Sequence, residues 1–476
     1  MEEPALSVIL PVYNAMPWLT FAVRDMLKQR LNDGAMLELL VSYDGGSDGS
    51  LSFLQELVMM LGDTHASEEC IAPPTVSEAV TVAYVNTSTN PALLQPLRAA
   101  EGVDHPSFDG SAEHPRREAL SAAEVAASTR REHRLRLLRY SDGLNRGQGA
   151  AMSLALRHAR AGLIAQMESD DERPAENAFA SMLAKLDANP DWDAVSCIIE
   201  LSGWKRPGMQ AYVAWQNNLL LPEQLAAGRY IEIPALHQTA IVRRAVIDEL
   251  LEVTGGAYRD GPWCTKHRLA DLRSTDQATQ ARERENSRHG DALDAPVDLW
   301  WWLSFFHQGK RCGKLEGPAL FSWRQHPRQH TRTHGRLSID NLRLIKVHFL
   351  CQEGGPLHGC SRVIVISVGT TLAGWAADLR AHPLCKQMQV EEVSWAPGKK
   401  GNAPLPTNAR LSAGNCGKRK HAMLAAAHDQ SGADEGSINR VVRLWAFGRE
   451  EVRRKVRAQV SDVHDMGSCP TDVFVA

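Results

Sequence analysis

The chain has no C-x-x-C pair, almost no net charge and no apolar stretch approaching a membrane span of ~20 residues. It also lacks a G-x-G-x-x-G after its first apolar run. Each absence excludes something. The missing glycine fingerprint disfavours a nicotinamide or ATP enzyme. The nine cysteines are odd in number and scattered, against a disulfide framework or structural zinc and in keeping with a reducing compartment. A formal charge of −3 provides no global field for nucleic acid, so such a partner would need a local basic patch. Met1-Glu2-Glu3-Pro4 has no basic start, so no secretory leader is expected and the predicted location is cytoplasmic or nuclear, without a membrane.

What is present is ordinary for a soluble globular protein: 476 residues, 23% charged and 43% hydrophobic. That length accommodates one large domain with appendages, or two to three domains. Residues 5–60 alternate strand, helix, strand, helix. Ala5–Val12 and Leu37–Tyr43 are continuous apolar runs of the kind buried on both faces. Trp18–Gln29 and Ser50–Leu61 read as the helices between and after them. The pattern resumes with strand Leu135–Tyr140, helix Gly149–Ala161, strand Gly162–Met167, helix Pro174–Asn189 and strand Ala194–Leu201. The fold class predicted is α/β with a mixed, mostly parallel sheet. Two polar stretches, about 87–134 and 267–295, read as disordered surface insertions. Pro296–Gln308 is a tryptophan-rich helix and Ile339–Gln352 a further helical pattern. Arg362–Val368 reads as a strand, Ala396–Asn439 is of low complexity, and Arg440–Ala476 is too short for a convincing domain.

Ligands of open α/β sheets sit beyond the carboxyl ends of the strands. Pro11-Val12-Tyr13-Asn14 follows the first strand, Asp44 the second, and Glu168-Ser169-Asp170-Asp171 a third. Asp44 suits an imide N–H such as uracil N3, Tyr13 a base face, and Asn14 the base edge or ribose. Taken alone, Asp44 in Asp-Gly-Gly-Ser is equally a turn or capping acid. Glu168 and Asp170 resemble a clamp for a divalent cation on a diphosphate, against the alternative of a helix N-terminus. Asn145-Arg146-Gly147-Gln148-Gly149 offers a glycine turn for close backbone approach to an anion. Asp298 opens the aromatic helix and faces two readings, general base or N-cap. Trp301 is core or sugar platform. His237 is acceptor-facing or structural. The run Trp323–Arg336, with Arg324 and His326, closes on a diphosphate or an acidic polymer, or is a solvated basic loop.

Ser7-Val8-Ile9-Leu10-Pro11-Val12-Tyr13-Asn14, the Asp44 turn, Asn145-x-Gly147-x-Gly149 and the Asp170 motif resemble, in order, the family-two glycosyltransferases of the GT-A fold. The resemblance covers about residues 5–335. It implies a GT-A domain over 1–350, with 351–476 as a C-terminal extension. It also implies inverting transfer of a hexose from a UDP-sugar with Mn2+ or Mg2+. Asp44 would bind uracil, Asp170 the metal, Asp298 would be the catalytic base, and His326 would lie near metal and diphosphate. Asn14-Ala15-Met16-Pro17-Trp18-Leu19, Trp215-Gln216-Asn217-Asn218, Leu221-Pro222-Glu223-Gln224-Leu225 and Arg324-Gln325-His326-Pro327 resemble the branch that galactosylates queuosine in tRNA. That branch implies UDP-galactose as donor and tRNA as partner. The chain departs from the family at Glu168, where Asp is usual, at Val297, where Glu is usual, and at an early Pro174, which lets Asp171 replace Asp170 as ligand. A protein, lipid or glycan acceptor, and an inactive module binding nucleotide-sugar or RNA, are the alternatives. The oligomeric state is left open.

Overall fold

The computed structural model describes residues 3–61, 80–86, 119–129, 133–140, 143, 145–254, 297–327, 329, 338–367, 369–394, 441–446 and 471–475. The expected insertion 267–295, the stretch Ala396–Asn439 and most of the basic run after His326 lie outside these residues.

Backbone packing divides the chain into two compact units. In the first, the strands β1 (Leu6–Val12), β2 (Leu37–Tyr43), β3 (Val80–Asn86), β4 (Arg134–Tyr140), β5 (Leu163–Gln166), β6 (Ala194–Cys197), β7 (Ile199–Gly203), β8 (Ile241–Arg243), β9 (Cys312–Leu315) and β10 (Phe321–Gln325) occur in chain order. Eight of them form one sheet in the order β3-β4-β2-β1-β5-β8-β6-β9, and β10 pairs with β7. β3 and β8 run antiparallel to their neighbours and the other pairings are parallel. The expected α/β class with a mixed, mostly parallel sheet is thus met. All seven residues of β1 and of β2 are buried, because helices cover both faces of a parallel sheet. The core joins Leu10 and Val41 of the strands to Leu19, Val23 and Met26 of helix Leu19–Leu27 and to Leu54 and Leu57 of helix Ser50–Leu61.

Register fixes where the loops emerge. Val12 pairs with Tyr43 and Ile9 with Gln166, so the segments after β1, β2 and β5 leave the sheet side by side.

Two readings need correction. β3 lies in a stretch left unassigned by the sequence pattern, and helix Ala122–Ser128 lies inside the expected insertion 87–134. That helix is closed by a capping box, with Ser121 accepting from Glu124 N–H and Glu124 from Ser121 N–H. It buries Ala122 and Val125, which is why it is ordered where composition suggested otherwise.

The second unit begins at Ser338 and also takes in Tyr230–Glu232; the sequence reading put the division at 350/351. Its sheet has the order β12-β11-β13-β14, where β11 is Arg362–Ser367, β12 Gln389–Ser394, β13 Val441–Ala446 and β14 Thr471–Val475. All its pairings are parallel. Arg440–Ala476 is therefore no stand-alone remainder: β13 obtains its partner from β11, far upstream. Lys346 Nζ, on helix Ile339–Cys351, donates to Ile231 O at 2.9 Å, which holds the tripeptide in this unit. Among the described residues no helix is long and apolar enough to cross a membrane.

Gly313 in β9 lies against the Trp192 ring, where an added Cβ would overlap the indole. Gly313→Ala is therefore expected to destabilise the chain by about 1–3 kcal/mol, read as a lower midpoint in urea unfolding with unchanged slope.

Candidate active site

Three strand ends frame the site. Pro11 and Val12 close β1, and Val12 O accepts from Asp44 N–H at 2.9 Å. Beyond them Tyr13 is 46% exposed. Asn14 takes a left-handed backbone, φ 47°, which Asn tolerates better than most residues. Its Oδ1 accepts from Ser47 N–H at 2.8 Å and thereby ties the first loop to the second. Gly46, at φ 113°, sits against the same Asn14 side chain, so neither its backbone nor the space admits a Cβ. Asp48 completes the joint: Oδ2 accepts from Met16 N–H at 2.6 Å, and Oδ1 from Ser50 Oγ at 2.6 Å. In the sequence, an acid two residues before a helix is the only signal for Asp48.

Asp44 is buried. Its Oδ1 accepts from Arg146 N–H at 2.8 Å and its Oδ2 from Gly147 N–H at 2.6 Å. The turn after β2 and the glycine loop after β4 are thus one unit. Burial raises the Asp44 carboxyl to about 6, against the two N–H bonds, which lower it. Both oxygens are committed to the loop, so the turn-acid alternative describes what this carboxylate does in the structure. Asn145 is exposed, and the Arg146 guanidinium lies 4.0 Å over the Tyr140 ring. Gly147, at φ 88°, leads into helix Gln148–His158.

The acidic turn after β5 separates into distinct roles. Glu168 Oε1 accepts from Gln148 Nε2 at 2.9 Å and Gln166 Nε2 at 2.6 Å. Burial, then repulsion from Asp170 and Asp298, raises Glu168 to about 8. It therefore holds a proton at neutral pH. Asp171 is buried, its Oδ1 accepting from Arg324 N–H at 2.9 Å and its Oδ2 from Gln238 Nε2 at 3.2 Å. Burial and then Asp170 push its proton affinity well up. Asp170 is the acid that faces outward to His326, with Oδ2 to Nε2 at 2.9 Å. Of the two acids left open as metal ligand, Asp171 is occupied by protein donors on both oxygens.

Arg324 holds this turn rather than facing an acceptor. Its Nε donates to Asp170 O at 2.8 Å, its guanidinium pairs with Glu172, and it stacks 4.0 Å over Trp18. Arg173, unremarked in the sequence, is a buried pillar below. Its N–H donates to Asp25 Oδ2 at 3.1 Å, and its guanidinium reaches Gln238 O and the Phe179 and Phe321 rings.

Asp298 sits in the first turn of helix Val297–His307. Its carboxylate accepts from Leu299 N–H at 2.8 Å, and its charge contributes to raising Glu168. Of the two readings left open for each, His237 and Trp301 take the core one and not the acceptor-facing one. They are 4% and 1% exposed, with ring centroids 4.6 Å apart. Burial drives His237 down to about 3, leaving a neutral ring. Trp301, Trp302 and Phe305 continue the same aromatic cluster.

The structure thus brings Glu168, Asp170, Asp171, Asp298 and His326 to one edge. Among the described residues no three His, Cys, Asp or Glu side chains form a group that could by itself hold a metal ion.

No protein-family model matches the chain, and no curated protein matches it. Solved structures do match. S. aureus TarS is similar over 73% of this chain and 40% of its own length, at 14% identity and a TM-score of 0.38. TarS 1–349 in complex with UDP-GlcNAc is similar over 72% of this chain and 65% of its own, at 12% identity and a TM-score of 0.39. The mannosyltransferase PcManGT from Pyrobaculum calidifontis, in complex with GDP-Man and Mn2+, is similar over 74% and 63%, at 17% identity and a TM-score of 0.35. The chain spans less than two thirds of the length of each. At these scores the likeness adds nothing to the site, whose reading rests on its own geometry.

Because Glu168 binds its proton more tightly folded than unfolded, its contribution to stability falls as pH rises from about 4.5 toward about 8. Glu168→Gln keeps an acceptor for both amide donors and removes the titration. The variant is expected to gain stability over the parent progressively across that window, measured by urea unfolding at pH 5, 7 and 9.

Proposed function

We propose that the chain is an inverting glycosyltransferase that moves a hexose from a UDP-sugar to an acceptor hydroxyl with the help of a divalent cation. The observation that carries this reading is the convergence of Glu168, Asp170 and Asp298 with His326 at the edge where β1, β2 and β5 end. Burial and the crowding of carboxyls raise the proton affinity of Glu168 and Asp171, and a nucleoside diphosphate arrives with a counter-cation that would favour the ionised forms.

The donor set fits such a cation in one specific way. Mg2+ and Mn2+ sites on nucleotides use one or two protein ligands and complete their shell with phosphate and water. Asp170 Oδ2 and His326 Nε2, 2.9 Å apart, are the pair available for this. A bound cation would neutralise the departing diphosphate. The residues of the chain do the rest. Tyr13 offers its exposed ring to the base. The Arg146–Gly147 loop, shaped by Asp44, brings backbone to the diphosphate side. Asp298 takes the proton from the acceptor hydroxyl, which attacks the anomeric carbon opposite the leaving UDP, so the configuration inverts. Glu168, protonated at neutral pH, leaves Asp298 without a second full charge beside it.

The finer reading is galactose as donor sugar and the cyclopentene diol of queuosine in tRNA as acceptor. It is supported by the sequence resemblance of Asn14–Leu19, Trp215–Asn218, Leu221–Leu225 and Arg324–Pro327.

Titration calorimetry of the full chain with UDP is expected to give binding that strengthens with Mn2+ and is lost in Asp170→Ala. Asp298→Asn is expected to bind UDP within a few-fold of the parent and to lower transfer about 10²–10⁴-fold. Absence of UDP binding with either metal would sink the transferase reading. Equal labelling of queuosine-containing and unmodified tRNA by UDP-galactose would sink the finer one.

A further inference from the structure

The second unit carries a pair of thiols that the proposed transfer does not use. Cys351 ends helix Ile339–Cys351, and Cys385 ends the single turn Pro383–Cys385. Both are reduced and buried, and their sulfurs lie 2.7 Å apart. A disulfide bond is about 2.05 Å long, so closure requires little movement.

Both thiols are held in place. Arg343 Nε, on the first helix, pairs with Asp378 Oδ2 at 2.6 Å, and Asp378 O accepts from His382 N–H at 2.9 Å. Cys385 N–H in turn donates to His382 O at 3.0 Å, and Leu384 N–H to His382 Nδ1 at 3.3 Å. The turn bearing Cys385 is thereby fixed to the helix bearing Cys351. Access is short: Leu384 is 56% exposed, and Lys386 on the other side is exposed too. Cys360 and His382 also belong to this neighbourhood, but among the described residues no three such side chains are arranged for a metal ion. Cys360 directs its thiol to Pro356 O at 3.7 Å.

We propose that Cys351 and Cys385 are a site of reversible disulfide formation, with a small peroxide as the oxidant. The Cys385 thiolate attacks one oxygen of hydrogen peroxide. An S–O bond forms, the O–O bond breaks, and the departing hydroxide takes up a proton as water. The Cys351 sulfur then attacks the Cys385 sulfur. The S–S bond forms, the S–O bond breaks, and the Cys351 proton leaves with the hydroxyl as a second water. Two thiols are oxidised by two electrons and one peroxide is reduced to two waters. The electronic environment assigns the first role to Cys385. Its hydrogen bond with Cys351, then the His382 ring, brings it down to about 6, while the same hydrogen bond and burial push Cys351 up.

The test uses the full chain, treated with hydrogen peroxide in modest excess and then alkylated. Peptide mapping without reductant is expected to yield one cross-linked pair, Cys351 with Cys385, two hydrogens lighter than the reduced peptides and released by dithiothreitol. Cys360→Ser is expected to leave the cross-link in place and Cys385→Ser to abolish it. Closing the loop is also expected to raise Tm of the oxidised chain by a few degrees. Full alkylation of both thiols after peroxide, in a chain whose circular dichroism is native, would overturn the proposal. A cross-link from Cys351 to Cys360 in place of Cys385 would do the same.

Discussion

The site depends on the Asp171 carboxylate. It is buried beneath the acidic turn, and its two oxygens reach two different parts of the chain, Arg324 N–H in β10 and the Gln238 side chain. That double attachment sets β10 against the turn. From there Arg324 reaches back to Asp170 O and Glu172, and His326 reaches the Asp170 carboxylate. Asp170 faces outward because its neighbour faces in. A carboxylate deprived of water persists only where donors replace that water, and here the replacement donors come from three-dimensional neighbours more than sixty residues away.

The nucleotide half is built by the same device. Both oxygens of Asp44 and one of Asp48 accept from backbone N–H groups of other loops, and Asn14 does likewise with Ser47. The loops after β1, β2 and β4 are consequently stitched into one surface before any ligand arrives, which lowers the ordering cost of binding. Glu168 and Asp171 are both pushed toward their protonated forms, and the cation proposed at the Asp170–His326 pair would shift both back toward the ionised form.

Much of this was legible from order along the chain. A buried apolar run followed by an acid announces a strand and its carboxyl-end loop, so the segments bearing Tyr13, Asp44 and Glu168–Asp170 could be placed on one edge without coordinates. Which oxygen faces which neighbour was not legible. Asp170 and Asp171 are adjacent and chemically equal, and only the position of β10, brought in by β7, separates them. His237 and Trp301 have polar atoms that invite a functional reading, yet their burial is decided by the packing of helix Val297–His307, which no local pattern encodes. β3 was carried by the β-branched run Val80–Asn86 alone, a weak signal for an edge strand with long polar flanks. Of the second sheet only β11 was legible, as Arg362–Val368, because its other strands are short and widely separated.

That separation has a consequence for how the chain acquires its shape. The central pairing of the second sheet joins Ile366 to Trp445, and its edge joins Ala446 to Val475, the last described residue. Sequence-distant parallel pairing is slow, because a long loop must be closed before any contact repays it. During synthesis β11 and its helices emerge long before β13 and β14, with an apolar edge awaiting partners. The second unit is therefore the later-maturing of the two, its sheet completed only once β14 has emerged from the ribosome, and the part in which a holding chaperone would have most to do.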